Sequence, residues 1–323
     1  MTQKPVALTC GEPAGIGSEL AVKAWQRLRE TELFFWMGDP AHLPKGAQYQ
    51  VIEAPKDAAK VMPHALPVLG YNFPEPVRFG VPSPKNAQMI IEILVKAVEF
   101  VSLGQAIAMC TLPIHKKALQ DGAGFDYPGH TEFLAYLCGA KQPVMLLASP
   151  ELKVVPATVH IPLSEVPHAL VHLDLEEIIT ITFESLKILF KIADPHLAVS
   201  GLNPHAGECG KFGCEDIEII QPVIAKLQQK GMNVTGPHSA DTMFHKTARG
   251  RYDAAIAMYH DQALIPIKTL DFDKGVNITL GLPFVRTSPD HGTALDIAGK
   301  GKASPVSTIE AIKMASRLGN GND

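Results

Sequence analysis

Three histidines stand in the same setting, each directly after an apolar run typical of a buried strand. They are His160 after 153–159, His205 after 197–202, and His260 after 254–258. In open α/β sheets, ligands bind at the carboxyl ends of the strands. Three histidines with an open coordination position form a known catalytic zinc arrangement. The pattern therefore predicts a shared metal site, whereas each histidine taken alone would be read as a hydrogen-bonded structural residue.

A second zinc arrangement is conceivable within one loop, from His205, Cys209 and Cys214. Thiolates bind zinc well, but this spacing matches no common zinc motif. We therefore interpret the two cysteines as free thiols in a Gly-rich loop.

Lys268, Asn277 and Arg286 are hydrogen-bond donors in a segment that is otherwise apolar and rich in glycine. Two cations and an amide suit a phosphate or a carboxylate, and arginine can bind such a group through two nitrogens. The alternative is surface charges that pair with Asp271 and Asp273. Asn277 lies in an apolar, strand-like run, where a buried amide needs a partner.

Further candidates stand at predicted helix starts. In the segment GHTEF, Thr131 could cap a helix and His130 would sit at its positive end. His115, Lys116 and Lys117 follow the predicted strand 106–110, where they could meet an anion or form a solvated helix start.

The candidates for a general base are Asp241, Asp261 and Lys268, with His130 as a further, weaker one. Asp241 can also be explained as a helix N-cap, or as a carboxylate that orients a metal ligand. The types of these residues do not decide which one would remove a proton.

The surrounding sequence predicts an α/β protein. Apolar strand patterns alternate with helical patterns at 85–101, 174–192 and 215–230, as crossover connections between parallel strands require. The segment GEPAGIG after the run 6–10 reads as a tight loop before a helix, although its glycine spacing is not a Rossmann fingerprint. Extended loops are predicted at 38–88 and 121–130.

Composition limits the class of protein. The chain has 323 residues, 46% of them hydrophobic, which suffices for a sizeable core and about two domains. A net charge of −4 argues against nucleic-acid binding, and no apolar run approaches the roughly 18 residues of a membrane span. Five scattered cysteines indicate reduced thiols and a cytoplasmic setting.

Taken together, the motifs resemble the 4-hydroxythreonine-4-phosphate dehydrogenase (PdxA) family. The segments stand in family order nearly from end to end: GEPAGIG, GHTEF, the His160 strand end, GLNPHAGE, ADTMF, AMYHDQ and GVNITLGLPFVRTSPDHGTALDIAGKGKA. Two departures are Leu112 and Ala87, where glycine is usual in the family.

The resemblance implies a fold similar to isocitrate and isopropylmalate dehydrogenases, with two α/β domains and a cleft between them. We expect residues 1–125 plus 292–323 to form a discontinuous first domain that carries the dinucleotide loop. Residues 126–291 would form the second domain, with the metal and substrate residues. A homodimer is implied in which His260 enters the site from the neighbouring subunit.

The resemblance also implies roles for single residues. His160, His205 and His260 would bind a divalent metal, either zinc, magnesium or cobalt. The substrate would contact His130, Thr131, Lys268, Asn277 and Arg286. Gly292, Thr293, Ala294 and Asp296 lie in a run that looks like a dinucleotide loop, in which Asp296 would favour NAD over NADP.

The activity implied by the family is an NAD-dependent oxidation of 4-phosphohydroxy-L-threonine. The resulting 3-oxo acid would lose CO₂ to give 3-amino-2-oxopropyl phosphate, in the biosynthesis of pyridoxal phosphate (vitamin B6). The main alternative is a paralogous dehydrogenase of erythronate or threonate 4-phosphate, which would use the same metal and donor residues. A metal-dependent phosphate-transfer or hydrolytic enzyme is a further alternative, and it would need no dinucleotide loop.

Overall fold

The structure is a computed structural model that describes residues 3–321. Its strands are β1 (Val6–Thr9), β2 (Phe34–Gly38), β3 (Tyr49–Ile52), β4 (Leu66–Gly70), β5 (Ala108–Thr111), β6 (Val144–Ala148), β7 (Lys153–Pro156), β8 (Leu197–Ser200), β9 (Val234–His238), β10 (Ala254–Ala257), β11 (Val276–Leu280) and β12 (Arg286–Pro289).

Its α-helices are α1 (Gly17–Leu28), α2 (Ala58–Val61), α3 (Ala87–Ser102), α4 (Lys116–Ala123), α5 (His130–Cys138), α6 (Val166–His172), α7 (Leu175–Leu189), α8 (Gln221–Gln229), α9 (Lys246–Arg249), α10 (His260–Asp271) and α11 (Val306–Asn320). A π-helical turn, Asp216–Ile220, leads directly into α8. The predicted α/β class is confirmed.

Two compact units divide the chain. The first unit runs to Pro143 and resumes at Leu282, and the second unit is Val144–Gly281. The sequence placed these boundaries near residues 125 and 291 instead. Helix α5 therefore lies in the first unit, because its Phe133 packs with Ile90 and Leu94 of α3. Strand β12 belongs to the first unit as well, because it pairs with β5.

The first unit is built on a parallel sheet in the order β3-β4-β2-β1-β5-β12. Strand β1 is buried along its whole length and has β2 on one side and β5 on the other. In such a sheet the order reverses next to β1, and the loops after β1 and β5 meet where ligands usually bind. These loops carry GEPAGIG and TLPIHK.

The predicted loop at 38–88 is partly wrong, because strands β3 and β4 lie inside it. They are short, and the Gly- and Pro-rich sequence around them hides their pattern. Leu66 and Val68 of β4 are fully buried between β2 and β3, whereas Tyr49 and Val51 of β3 stay exposed at the sheet edge.

The second unit has a mixed sheet in the order β11-β6-β7-β10-β8-β9. Strands β7, β10, β8 and β9 run parallel, whereas β6 is antiparallel to both β7 and β11. Val154, Ala198 and Ala255 of the parallel strands are buried with Ile267 of α10 in one core. This core fixes the carboxyl ends of β7, β8 and β10, which the three histidines follow.

Across residues 3–321, none of the helices combines the length and the apolar character that a bilayer crossing requires.

Candidate active site

His160 and His260 lie side by side in the second unit. Their ring centroids are 5.6 Å apart, and both line a cavity of about 230 Å³. Two imidazoles on one tetrahedral ion would have ring centres about 5–6 Å apart, since each metal–nitrogen bond is about 2 Å. The pair therefore has the spacing of two ligands of a single cation.

The surroundings of His260 favour ligation through its outer nitrogen. Asp261 Oδ1 lies 2.7 Å from Nδ1 of His260, which leaves Nε2 available. A carboxylate that fixes the second nitrogen is the usual companion of a metal-bound histidine. Asp261 thus fits an orienting role better than that of a base.

His205 occupies a different part of the second unit. Its backbone is left-handed, with φ of 54°, and it begins a run of left-handed residues through Cys209. Within residues 3–321, no three His, Cys, Asp or Glu side chains gather as a metal site. One chain therefore brings two of the three predicted ligands together, and neither zinc arrangement is complete within it.

The loop that carries His205 is held by a buried carboxylate, Asp216. Its oxygens accept the backbone N–H groups of Leu202 at 2.8 Å and Asn203 at 3.2 Å, and the Asn203 side chain at 3.0 Å. Asp216 has no exposed surface. No local pattern in the sequence marks this residue, because its partners lie more than ten positions away.

The pKa of the Asp241 carboxyl lies below its ordinary value, mainly because Ser239 Oγ donates a hydrogen bond to it. Asp241 also lies near His205, whose imidazole contributes to lowering this pKa. Asp241 sits inside a 3₁₀ turn whose N-cap is Ser239, so the N-cap explanation is wrong. An ionised, exposed carboxylate is available to accept a proton.

The other predicted anion-binding residues of the second unit are Lys268 and Asn277. The Lys268 ammonium lies 5.7 Å from the centre of the Phe272 ring. Oδ1 of Asn277, on β11, is buried without a hydrogen-bond partner in the described chain. A buried amide oxygen in that state costs free energy unless a ligand or water donates to it.

In the first unit, Arg286 is a buried cation. It is 3% exposed, and its Nε and Nη2 donate to Thr111 Oγ1 at 3.1 and 2.7 Å. Burial lowers its pKa to about 10, which still leaves it charged at neutral pH. The sequence did not single out Thr111, because the two residues lie 175 positions apart.

His130 lies in the same neighbourhood. Its Nε2 is buried and finds no hydrogen-bond partner within residues 3–321. Burial, followed by the charges of Arg286 and Lys116, lowers the pKa of this imidazole well below its usual value. His130 is therefore neutral at neutral pH and can donate or accept one hydrogen bond.

Helix α5 begins at His130, and its N-cap is Gly129. The prediction of Thr131 as the N-cap is therefore wrong, and Thr131 lies in the first turn. No side chain caps this N-terminus, so its N–H groups and the positive end of the helix dipole can face an anion.

The predicted dinucleotide residues follow β12: Gly292, Thr293 and Ala294 lie in an irregular loop, and Asp296 lies in the turns after it. This loop packs on GEPAGIG, where the backbone N–H of Ile16 donates to Thr293 O at 3.2 Å. Ala294 is left-handed, with φ of 46°. The side chain of Asp296 is exposed.

Two acidic residues support these loops, although sequence patterns did not single them out. Glu19 accepts the backbone N–H groups of Gly301 and Ala303. Glu12 is 2% exposed, burial raises its pKa, and its Oε1 accepts the N–H of Ala14 at 2.9 Å. GEPAGIG identified the position of Glu12 but not its burial.

Both departures from the family pattern are fully buried residues. Leu112 is fully buried beside the start of α1, and its Cδ1 lies 3.2 Å from where a Cβ on Gly17 would stand. Ala87 is fully buried where α3 meets α4, close to Gly122.

Known proteins resemble the chain along nearly its whole length. Residues 30–315 match the family described as "Pyridoxal phosphate biosynthetic protein PdxA". The 4-hydroxythreonine-4-phosphate dehydrogenase of Ruegeria sp. (strain TM1040) is 57% identical over 98% of each chain. The protein of the same name from Roseobacter denitrificans is 56% identical over 97% of each. The crystal structure of 4-hydroxythreonine-4-phosphate dehydrogenase from Klebsiella pneumoniae has a TM-score of 0.88, with 36% identity and 98% of each chain covered.

Proposed function

Because the chain belongs to the PdxA family, we propose that it is a dehydrogenase of 4-phosphohydroxy-L-threonine. It oxidises the secondary alcohol with a nicotinamide cofactor, and the 3-oxo acid loses CO₂ to give 3-amino-2-oxopropyl phosphate. This reaction belongs to pyridoxal phosphate biosynthesis. The observation that carries the proposal is the near-full-length identity with relatives of that name.

A divalent cation fits the histidines of the second unit. His160 and His260 would hold it, and His205 of the partner subunit would be the third ligand in a homodimer. Imidazole ligands suit zinc or cobalt better than magnesium, which prefers oxygen. Such a cation polarises an alcohol or carbonyl oxygen, as it does bound water.

Other polar residues of the second unit would divide the remaining tasks. Asp261 fixes the orientation of His260 through the 2.7 Å contact. Asp241 would take the alcohol proton, because it is an exposed carboxylate that lies near His205 and would enter the site together with that histidine. The buried Oδ1 of Asn277 would accept a hydrogen bond from the substrate, and Lys268 would supply a positive charge.

The first unit would bind the anionic end of the substrate. Arg286 is fixed by Thr111, and the neutral His130 and the open N-terminus of α5 add donors beside it. Charged donors held in advance orient a substrate without a further entropic cost.

The cofactor would lie on the loop Gly292–Asp296. The exposed carboxylate of Asp296 could bind the ribose hydroxyls of NAD, whereas it would repel the 2′-phosphate of NADP. We therefore expect NAD to be the preferred cofactor.

A substrate panel tests the proposal. Purified protein with added zinc or cobalt should reduce NAD with 4-phosphohydroxy-L-threonine, and much more slowly with erythronate or threonate 4-phosphate. His260→Ala should abolish the reaction, whereas His168→Ala, which alters an exposed histidine of α6, should not. A clear preference for a four-carbon sugar-acid phosphate would replace the proposal with the paralogous dehydrogenase.

A further inference from the structure

We propose that Lys116 is an additional phosphate-binding residue, whose ammonium acts with Arg286 and the N-terminus of α5 on the phosphate of the substrate. This inference rests on the proposed function, and it assigns the phosphate, rather than the carboxylate, to the first unit. Lys116 is the first residue of α4, directly after the loop that follows β5.

The three polar residues at the start of α4 have different environments. His115 caps the helix, since its Nδ1 accepts the N–H of Ala118 at 3.2 Å. Lys117 pairs with Asp121 at 2.7 Å on the exposed face. For Lys116, no hydrogen bond or ion pair occurs with any residue from 3 to 321, so its charge is uncommitted.

The Lys116 side chain lies over the start of α5. A Cβ on Gly129 would stand 3.6 Å from Cε and 3.8 Å from Nζ of Lys116. Gly129 is the N-cap of α5, and no side chain makes a capping hydrogen bond there. The ammonium and the free N–H groups of this nine-residue helix therefore face the same small region.

The charges in that region show that it suits an anion. Lys116 and Arg286 both act on His130, where their positive charges oppose protonation of the imidazole. His130 Nε2 is buried and lacks a partner in the described chain, which is a second, independent sign of an absent ligand. Glu132 is the acid of this region, and its Oε2 would stand 3.4 Å from a Cβ on Gly129.

These charges favour a phosphate over a carboxylate. With His130 neutral, two cations outweigh the single carboxylate of Glu132, and the helix end adds positive potential. A phosphate carries up to two negative charges and three acceptor oxygens, so it can engage Lys116, Arg286 and backbone N–H groups together.

Steady-state kinetics with 4-phosphohydroxy-L-threonine and NAD test the inference. Lys116→Gln should raise KM for the substrate by about tenfold to a hundredfold, the usual loss for one charged hydrogen bond. The kcat should change little, and Lys116→Arg should restore most of the affinity. Lys117→Gln removes one lysine charge from the next position and should behave as the unaltered protein.

Binding of inorganic phosphate to the metal-loaded protein, measured by calorimetry, gives a readout that needs no turnover. Phosphate affinity should fall in Lys116→Gln and persist in Lys117→Gln. If the unaltered protein turns over the substrate but Lys116→Gln matches it in KM and phosphate affinity, the inference is overturned. If the unaltered protein oxidises no substrate yet shows the Lys116-dependent phosphate affinity, the proposed function fails and the anion site stands.

Discussion

His160 and His205 hold their imidazoles on left-handed backbone, with φ of 52° and 54°. Such a conformation costs a residue with a Cβ about 1–2 kcal/mol. Strain of this kind gathers at sites where a side chain must point in a set direction. At these two positions, the direction of the imidazole is maintained at the expense of stability.

Two substitutions of His160 test this cost. Both His160→Gly and His160→Ala remove the ring, but only alanine keeps the Cβ. In denaturant titrations, the free energy of unfolding of His160→Gly should therefore be about 1 kcal/mol larger than that of His160→Ala. At His168, within α6, the order should reverse by a similar amount, because glycine weakens a helix. The same order at both positions would argue against backbone strain at His160.

The buried imidazole of His130 makes stability depend on pH. Its pKa is lower in the folded protein than in the unfolded chain, so the unfolded chain binds the additional proton. The free energy of unfolding is therefore fully retained above about pH 6.5 and falls as the pH drops below it, by up to about 1.4 kcal/mol per pH unit.

Unfolding of His130→Asn between pH 7.5 and 5 measures this contribution. The variant should lose less stability over that range than the unaltered protein, and the two curves should run parallel above pH 7. The exposed His168→Asn serves as the control and should follow the unaltered protein throughout. If the stability curve of His130→Asn ran parallel to that of the unaltered protein at all pH values, the pKa of His130 would not be lowered by folding.

At the scale of elements, the buried strands and the polar loops that follow them were the features most easily predicted from the sequence. Apolar runs at 153–159, 197–202 and 254–258 place β7, β8 and β10, because buried strands need continuous hydrophobic residues. The helix pattern at 174–192 likewise predicts α7. Strands β3 and β4 were missed because the Gly- and Pro-rich sequence around them hides their apolar pattern.

The partners of the site residues were harder to predict. Thr111 bonds Arg286, and Asp216 holds the loop of His205, through contacts between distant parts of the sequence. No periodic pattern encodes such a pair. The start of α5 was misplaced by two positions, because Thr131 resembles a cap although Gly129 takes that position.

Asp216 belongs to this scale, since it acts on a whole loop. Asp216→Asn would keep the shape of the side chain, but its amide N–H group would face the backbone N–H groups that now donate to the carboxylate. His205 would then be held less firmly, and the affinity for zinc or cobalt should fall about tenfold to a hundredfold. Calorimetric titration of the metal-free protein with zinc or cobalt measures this affinity, and the surface variant Asp121→Asn serves as the control. Unchanged cation affinity would mean that the loop does not position a ligand.

At the scale of the whole molecule, the sequence predicted a discontinuous first domain around an inserted second one, and the two structural units are arranged in this order along the chain. The placement of the histidines adds information that motifs did not contain. The resemblance assigned His260 to the neighbouring subunit, whereas the structure places His260 beside His160 of the same chain. We therefore propose that, in a dimer with shared sites, His205 rather than His260 would be the ligand from the partner subunit.

Mixed dimers separate these two arrangements. Each single variant should be inactive. A mixture of His205→Ala and His260→Ala should regain about a quarter of the activity, because about half of the random dimers are mixed and each has one intact site of two. A mixture of His160→Ala and His260→Ala should regain none, since both ligands come from one chain. Recovery in that second mixture would return His260 to the partner subunit.

The most direct test of the central claim is the turnover of 4-phosphohydroxy-L-threonine by metal-stripped protein, followed through NADH and CO₂. We expect no NADH without a cation. After zinc or cobalt is added back, NADH and CO₂ should appear in equal amounts. Full activity in the stripped protein, or no activity in the metal-loaded protein, would contradict a metal-dependent dehydrogenase of this substrate.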